Sequence, residues 1–253
     1  MSTIALPQGW TLQAFDCLGS TNEEAAKHAE AGAGEGSVIV ARQQVSGRGR
    51  RGRHWQSPPG NAYSSVIVRP QCPALEAAQL GFVVGLAVAE TVRSLLGADH
   101  AVRVKWPNDV LVDGAKIAGI LLESSAGAAG NVAYVVIGTG INVAYHPPSG
   151  ETPYPTTSLH ALGAQVAPGK ALEAYLEALA RGLALWRSQG FAAVRRNWLA
   201  LAANLGEPID VKLGKEQVRG VFRRLDETGA LILGLPEGGE RRISAGEIFP
   251  VAA

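Results

Sequence analysis

The chain has 253 residues, of which 47% are hydrophobic and 18% charged, and its formal net charge is +1. This composition fits one large soluble domain, or one domain with a small appendage, and gives no overall case for nucleic-acid binding. Two cysteines without a CxxC spacing and five scattered histidines argue against a disulfide framework and against a thiolate or histidine metal site.

The first elements predicted along the chain are a helix and two strands. The N-terminal residues contain no basic segment followed by an apolar core, so we predict no signal peptide and expect a cytoplasmic protein. Ser20 with Glu23, and Thr21 with Glu24, fit capping boxes at the start of an alanine-rich helix. A buried strand, predicted over 37–42, leads directly into an arginine-rich loop, and a second strand follows.

The middle of the chain predicts a long helix and a hairpin. The helix is mostly apolar, and its most apolar part, near 80–89, is too short to span a bilayer, so we expect no membrane association. Asp113-Gly114 is typical of a type I′ turn between two strands. A central strand and two further helices complete this part. The predicted strands are 61–69, 102–106, 110–112, 115–123 and 132–137, and the predicted helices are 75–96, 170–187 and 191–203.

The pattern changes after residue 205. Four short alternating segments, separated by glycines, predict a small all-β module of about fifty residues. They lie at 209–213, 217–225, 230–235 and 241–243. We therefore divide the chain into a domain of residues 1–205 and a module of residues 206–253.

The run Gly47–Trp55 contains four arginines that alternate with three glycines and ends in an indole. Glycines let backbone N–H groups approach a ligand, and arginines bind phosphate and carboxylate bidentately. The run therefore predicts a loop that closes over an anion. Its glycines also match G-x-G-x-x-G, but a dinucleotide site needs a helix directly afterwards, and the prolines within 53–60 disfavour one. A solvated basic loop and a nucleic-acid patch are the alternatives, although no other basic stripe supports the latter.

Two of the six lysines flank the predicted hairpin. Lys105 begins the string Lys-Trp-Pro-Asn-Asp, and Lys116 begins Lys-Ile-Ala-Gly-Ile-Leu. An ammonium beside a small, apolar strand can act as a compact charge on a bound anion. The alternative is an exposed lysine at the start of a strand.

In this order along the chain, these motifs resemble those of biotin protein ligases. The matching elements are Ser20-Thr21-Asn22, Gln44 with the arginine loop and Trp55, the Lys105–Asp109 and Lys116–Leu121 strings, Gly138–Asn142 and Thr157-Ser158-Leu159. The resemblance implies an α+β fold, in which a mixed sheet with helices is similar to the catalytic core of class II aminoacyl-tRNA synthetases. It also implies that the C-terminal module is a small SH3-like β-barrel.

The resemblance implies a two-step reaction with biotin and ATP as substrates. Biotin's carboxylate joins the α-phosphate of ATP to form biotinyl-5′-AMP, with Mg²⁺ as cofactor, and biotin then passes to a lysine of an acceptor such as a biotin carboxyl carrier domain. Because the first step joins two anions, electrostatic stabilisation must supply most of the barrier reduction. That step requires no general base, since the carboxylate is already ionised near neutral pH.

The resemblance also assigns roles to individual residues. Lys116, Arg48 and Arg50 are the expected catalytic residues, and Asp109 is the expected magnesium contact. Contacts to biotin are expected from Ser20, Thr21, Asn22, Gln44, Gly47, Arg48, Gly49, Arg50, Lys116 and Gly119. Contacts to ATP are expected from Arg51, Arg53, Trp55, Asn108, Asp109, Lys116 and Asn142. Two simpler alternatives remain, namely a helix cap for Ser20–Asn22 and a buried core side chain for Trp55.

Further expectations concern the mobility of the arginine loop, the alternative functions and the binding partners. The loop over about 44–54 is expected to be mobile when empty and to order on the ligand. A lipoate ligase or octanoyltransferase, which shares the fold and a central lysine, is the closest rival, and a nucleic-acid-binding module is the other. Nineteen residues before Ser20 are too few for a helix-turn-helix domain, so we expect no repressor role and no nucleic-acid partner. Both a monomer and a homodimer remain open.

Overall fold

Two β-sheets organise the protein, and the computed structural model describes residues 4–251. The first sheet has seven strands in the order β1-β2-β3-β7-β6-β5-β4, and all of its neighbouring pairs except β1–β2 are antiparallel. Its strands are β1 (Thr11–Leu18), β2 (Ser37–Gln44), β3 (Ala62–Val68), β4 (Val102–Lys105), β5 (Asp109–Val112), β6 (Ala115–Ala126) and β7 (Val132–Ile141). This mixed sheet confirms the predicted α+β class.

Helices cover both faces of this sheet. They are α1 (Thr21–Glu30), α2 (Ala74–Ala77), α3 (Leu80–Leu96) and α4 (Pro168–Leu201). Alternate side chains of a strand point to opposite faces, so Ile39 of β2 packs with Ala25 of α1, whereas Val38 and Val40 belong to the larger core that includes α3 and α4. The segment Ala74–Leu96 is long and apolar enough to cross a membrane, but 67% of its most apolar stretch is buried inside the protein.

Several predicted elements need correction. The predicted helix over 75–96 is two helices, α2 and α3, whereas the two predicted C-terminal helices are confirmed, because α4 breaks between them at Gly190, with φ 70°. Strand β1 was not predicted. Ser20 stands at the N-cap of α1, but its side chain makes no capping hydrogen bond. The predicted capping boxes are therefore wrong.

The predicted hairpin turn is confirmed. Val112 pairs with Ala115, and the two residues between them, Asp113 and Gly114, have φ values of 49° and 82°. Positive φ at both central positions is the requirement of a type I′ turn. The turn sets the pairing of the residues next to it, and an irregularity between Val110 and Leu111 then shifts the register of β5 against β6.

The second sheet is formed by the C-terminal part of the chain. Its five antiparallel strands have the order β11-β10-β9-β8-β12. They are β8 (Pro208–Leu213), β9 (Glu216–Leu225), β10 (Leu231–Gly234), β11 (Glu240–Ile243) and β12 (Glu247–Pro250), of which β12 was not predicted. Trp106 Nε1 donates to Gly229 O at 3.2 Å and so joins this module to the first sheet. The division between residues 205 and 206 stays a prediction.

Asp226 stabilises the turn between β9 and β10. Its Oδ1 accepts from Thr228 N and Ala230 N, both at 2.9 Å, and its Oδ2 accepts from Arg242 Nε at 2.6 Å. Burial opposes its ionisation, but hydrogen bonds from Thr228 and Arg242 outweigh that effect and lower its pKa from 3.8 to about 2.

We expect Asp226→Ala to lower the free energy of unfolding by about 1–3 kcal/mol at pH 7, as measured by urea denaturation. Because the folded-state pKa is depressed, the stabilisation is complete above the ordinary pKa and is lost as the pH falls toward the folded value. The difference between wild type and variant should therefore shrink in acid. A loss that is equally large at pH 7 and at about pH 2 would contradict this origin.

Candidate active site

A cavity of about 330 Å³ lies where the first sheet, the arginine loop and the C-terminal module meet. The predicted site residues come from six separate segments of the chain, and the fold brings all but one of them to its wall. Those on the wall are Ser20, Thr21, Asn22, Gln44, Arg48, Gly49, Arg50, Arg51, Arg53, Trp55, Asn108, Asp109, Lys116, Gly119 and Asn142.

Gly47 is the exception. A Cβ at this position would lie 2.4 Å from Trp55 O and 2.5 Å from Ser57 Oγ. The loop crosses itself here, so Gly47 is needed for close packing of the loop behind the wall. The predicted contact of Gly47 with biotin is therefore not supported by its position.

Strand register builds the floor of the cavity. Lys105 pairs with Asp109, Asp109 with Gly119, and Gly119 with Gly140, in one row across four strands. The indole of Trp55 rests on the two glycines, since a Cβ would lie 2.9 Å from Trp55 Cζ3 at Gly119 and 2.5 Å from Nε1 at Gly140. Larger residues in this row would displace the indole.

Trp55 is partly exposed on the cavity wall rather than a fully buried core side chain. Its Nε1–H is buried and has no hydrogen-bond partner among residues 4–251. A buried donor without a partner is costly, so this group is available to a ligand. The predicted stacking of Trp55 on adenine stays a prediction.

Lys116 lies at the centre of the cavity. Its Nζ is 2.6 Å from Asp109 Oδ1 and 3.4 Å from Tyr154 Oη, and its side chain is 9% exposed. Burial disfavours the charged form, but the adjacent Asp109 carboxylate outweighs it, so the pKa of Lys116 lies above its ordinary value. The alternative of an exposed lysine at a strand start is wrong. The ammonium stays charged and faces the cavity.

One end of the cavity is a connected set of neutral polar groups. Gln44 Oε1 accepts from Thr21 N at 2.8 Å, and Gln44 Nε2 donates to Ser57 Oγ at 2.9 Å. Ser65 Oγ lies 2.8 Å from Thr21 Oγ1 and 2.6 Å from Asn22 Oδ1. These partners orient one another before any ligand binds. Ser57 and Ser65 carry no motif that singles them out in the sequence.

The arginine loop lies folded over the cavity. Each of three arginines has a partner on a different element. Arg48 Nη2 donates to Glu123 Oε2 at 3.2 Å, Arg50 Nη1 donates to Asn108 Oδ1 at 3.1 Å, and Arg53 forms a bidentate ion pair with Glu247 of β12. Burial, reinforced by the neighbouring Arg51, lowers the pKa of Arg50. Mobility of the empty loop stays a prediction.

The sequence reasoning missed two parts of the wall. The proline-rich connection after β7 contributes Tyr154, whose ring lies 4.8 Å from Lys105 Nζ and 5.2 Å from Lys116 Nζ. The C-terminal module contributes Gly246 and Glu247. Neither segment has a recognisable motif. The only signals in the sequence were the residue types themselves, an aromatic residue in the first segment and a charged residue in the second.

Asn142 and Asp109 have partners within the protein. Asn142 is buried, and its Nδ2 donates to Thr157 O at 3.0 Å, which ties the end of β7 to the following segment. Among residues 4–251 no group of three His, Cys, Asp or Glu side chains could hold a metal ion. Asp109 is a single carboxylate paired with Lys116, so these residues do not form a magnesium site on their own.

Comparisons with known proteins agree with this arrangement. Residues 14–142 match the biotin/lipoate A/B protein ligase family, and residues 205–249 match the biotin protein ligase C terminal domain. The chain is 43% identical over 234 residues to the biotin–[acetyl-CoA-carboxylase] ligase of Paracoccus denitrificans, an alignment that covers 91% of this chain and 96% of that protein. It is 36% identical over 200 residues to the bifunctional ligase/repressor BirA of Escherichia coli, covering 78% of this chain but 61% of that protein.

The fold is similar to that of the Aquifex aeolicus biotin protein ligase in complex with biotin and ATP. The TM-score is 0.79 at 28% identity, and the match covers 94% of this chain and 97% of that one. These similarities confirm the predicted resemblance and fold class, including the SH3-like C-terminal module. The chain therefore belongs to the biotin/lipoate A/B protein ligase family and, within it, to the biotin protein ligases.

Proposed function

We propose that this protein is an ATP-dependent biotin–[biotin carboxyl carrier protein] ligase. The observation that carries the proposal is Lys116, a buried and charged ammonium that lines the same cavity as a set of neutral polar groups and an arginine loop. The relative from Paracoccus denitrificans is named for this activity, and the related Aquifex structure contains biotin and ATP. A cytoplasmic location and a carboxyl carrier domain as acceptor complete the proposal, with monomer and homodimer both open.

We propose that biotin and ATP contact chemically different parts of the cavity wall. The neutral donors and acceptors of Thr21, Asn22 and Gln44 suit the ureido ring of biotin, with Ser20, Gly49 and Gly119 beside it. Leu121 and Ile120 line an apolar part of the wall that suits its alkyl chain. ATP suits a second set of residues, which comprises the arginines Arg50, Arg51 and Arg53, the carboxylate Asp109 and the amides Asn108 and Asn142, with Trp55 as the stacking side chain.

In the first step a carboxylate oxygen of biotin attacks the α-phosphorus of ATP. The bond from that phosphorus to the bridging oxygen breaks, and pyrophosphate leaves with the electron pair. Lys116, Arg48 and Arg50 would offset the charge that accumulates as two anions meet. In the second step the neutral amine of the acceptor lysine attacks the carbonyl carbon of biotinyl-5′-AMP. The bond from that carbon to the phosphate oxygen breaks, AMP leaves, and the nitrogen loses a proton to form the amide.

Magnesium fits this site only together with the nucleotide. Mg²⁺ is held mainly by substrate phosphates and one or two carboxylates, and Asp109 is the carboxylate we propose for that contact. Its pairing with Lys116 would have to loosen first. We also propose that residues 1–205 form the catalytic domain and that residues 206–253 close one side of the cavity through Glu247.

Biotin-dependent exchange of labelled pyrophosphate into ATP tests the first step directly. The expected result is exchange with biotin and no exchange with lipoate, with thermal stabilisation following the same order. Stabilisation and exchange with lipoate alone would favour a lipoate ligase instead. Salt-dependent nucleic-acid binding without any exchange would favour the nucleic-acid-binding alternative.

The arginine loop should change its protease sensitivity on binding. Trypsin cleaves after arginine, and Arg51 is fully on the surface with a φ of 58°. We expect cleavage within 44–54 to slow by about tenfold when biotin and ATP are added together, because arginine–phosphate contacts order the loop. Gel analysis of timed digests measures the rate. Equal rates with and without ligands would contradict ordering.

A further inference from the structure

One carboxylate oxygen joins the neutral end of the cavity to the arginine loop. Glu123 Oε2 accepts from Asn22 Nδ2 at 2.7 Å and from Arg48 Nη2 at 3.2 Å. Asn22 belongs to α1, Glu123 to β6 and Arg48 to the loop. Neither the resemblance nor the motifs singled out Glu123.

Asn22 occupies a slot that fixes the direction of its amide. The side chain is buried, and its Oδ1 accepts from Ser65 Oγ at 2.6 Å. The slot exists because residue 138 is glycine, since a Cβ there would lie 2.1 Å from Asn22 Oδ1. Without Glu123, Nδ2 would keep only a long contact of 3.4 Å to Leu121 O. Glu123 therefore determines which way the amide of Asn22 faces.

Arg48 has two carboxylate partners. Besides Glu123, its Nη1 lies 3.5 Å from Glu23 Oε1. Arg48 is 40% exposed, and the side chains of Glu23 and Glu123 are 47% and 41% exposed, so each pair by itself contributes little stability. The difference between the two carboxylates is that only Glu123 also holds Asn22.

We propose that Glu123 is a positioning residue that couples biotin binding to closure of the arginine loop. This inference rests on the proposed function, in which the amide of Asn22 contacts biotin. A ligand that fixes the position of Asn22 also fixes Glu123 Oε2, which is hydrogen-bonded to it. That oxygen is then held where it accepts the hydrogen bond from Arg48 Nη2. The loop then closes more readily on the biotin-bound protein, and by linkage the closed loop holds biotin more tightly.

Three variants separate the two contacts. Glu123→Ala removes both contacts, Gly138→Ala displaces Asn22 without touching the pair between Glu123 and Arg48, and Glu23→Gln weakens only the second partner of Arg48. Titration calorimetry measures the biotin Kd, and the rate of tryptic cleavage in the loop, with and without saturating biotin, measures closure. Exchange assays add KM for biotin and for ATP.

Glu123→Ala is expected to raise the biotin Kd by about 10–100-fold, the effect of one lost hydrogen bond to a charged group. It should also abolish the slowing of loop cleavage by saturating biotin. Gly138→Ala should raise the Kd while leaving cleavage of the biotin-free protein unchanged. Glu23→Gln should speed cleavage by about 2–5-fold and, through the same linkage, raise the biotin Kd by no more than that factor.

Glu123→Gln provides the conservative rescue. Its amide oxygen can still accept from Asn22 Nδ2, so most of the increase in the biotin Kd should disappear, while the lost charge leaves Arg48 less well held and the slowing of loop cleavage by biotin stays weakened. A merely structural role for Glu123 would not separate the two readouts in this way. Because this variant removes only a charge, it carries the test even where Glu123→Ala fails to fold, as judged by circular dichroism.

Two results would overturn the inference. One is an unchanged biotin Kd in a folded Glu123→Ala protein. The other is equal slowing of loop cleavage by saturating biotin in wild type and in both Glu123 variants. Failure of the proposed function has a different signature, since the wild-type protein would then neither bind biotin nor catalyse biotin-dependent exchange.

Discussion

Replacing Lys116 with alanine is expected to lower biotin-dependent pyrophosphate exchange by about 10²–10³-fold, the usual cost of losing one preorganised charge at a reacting centre. Lys116 is the ammonium at the centre of the cavity, and its pKa is raised by Asp109, so it is charged at neutral pH. Both kcat and kcat/KM should fall, because the charge acts where two anions meet. Unimpaired exchange would remove Lys116 from the catalytic role.

The control for this variant addresses stability. Lys116→Ala leaves the carboxylate of Asp109 buried and unpaired, and breaking a buried pair in this way costs about 3–5 kcal/mol. The double variant Lys116→Ala with Asp109→Asn removes that unpaired charge. We expect it to recover most of the thermal stability but to catalyse exchange far more slowly than Asp109→Asn alone, which is the baseline because Asp109 is itself the proposed magnesium contact. Recovery of exchange together with stability would mean that Lys116 acts only through folding.

Replacing Arg50 with alanine is expected to lower exchange by about 10–100-fold, since a charge-assisted hydrogen bond contributes about 1.5–3 kcal/mol. Arg50 is partly buried, and Asn108 holds its guanidinium at 3.1 Å. Asn108 is in turn anchored by donation from its Nδ2 to Ile120 O at 2.9 Å. In the loop conformation that covers the cavity, these contacts place the guanidinium at the cavity wall.

Release of biotinyl-adenylate is the second measurement for this variant. Without Arg50 the intermediate should escape or hydrolyse faster, which a single-turnover assay with labelled ATP detects. Arg42→Ala is the matched control, because Arg42 is exposed, lies on the strand before the loop and, among residues 4–251, forms an ion pair with Asp16 alone. Similar effects of the two variants would point to loss of overall charge instead of loss of a particular contact.

Features that depend on neighbouring residues were predictable. The type I′ turn requires only that Asp113 and Gly114 adopt positive φ, and that requirement is local. The arginine loop was predicted to bind an anion because arginines bind phosphate and carboxylate, glycines give access to the backbone, and both residue types are neighbours in the sequence here. The same holds for Lys116, whose small neighbours in β6 let it lie against the floor of the cavity.

Features that depend on tertiary contacts were not predictable in this way. Strand β1 is an edge strand with no fully buried side chain, so it lacks the alternation that reveals a strand. The capping box at Thr21 failed because Thr21 Oγ1 lies 3.1 Å from Gln44 Oε1 and so engages a distant partner. A tertiary contact to Gln44 therefore outweighed the local preference of this segment for a capping box.

The sequence by itself determined the family, the α+β class and the chemistry of the site, because these rest on residue types and on the order of motifs along the chain. Only the tertiary structure decided which groups face one another. Glu123 with Asn22, Arg53 with Glu247 and Lys116 with Tyr154 are partners that strand register and domain packing bring together across long stretches of chain. No local pattern encodes such pairings, so the way in which the loop is held over the cavity became visible only in the folded molecule.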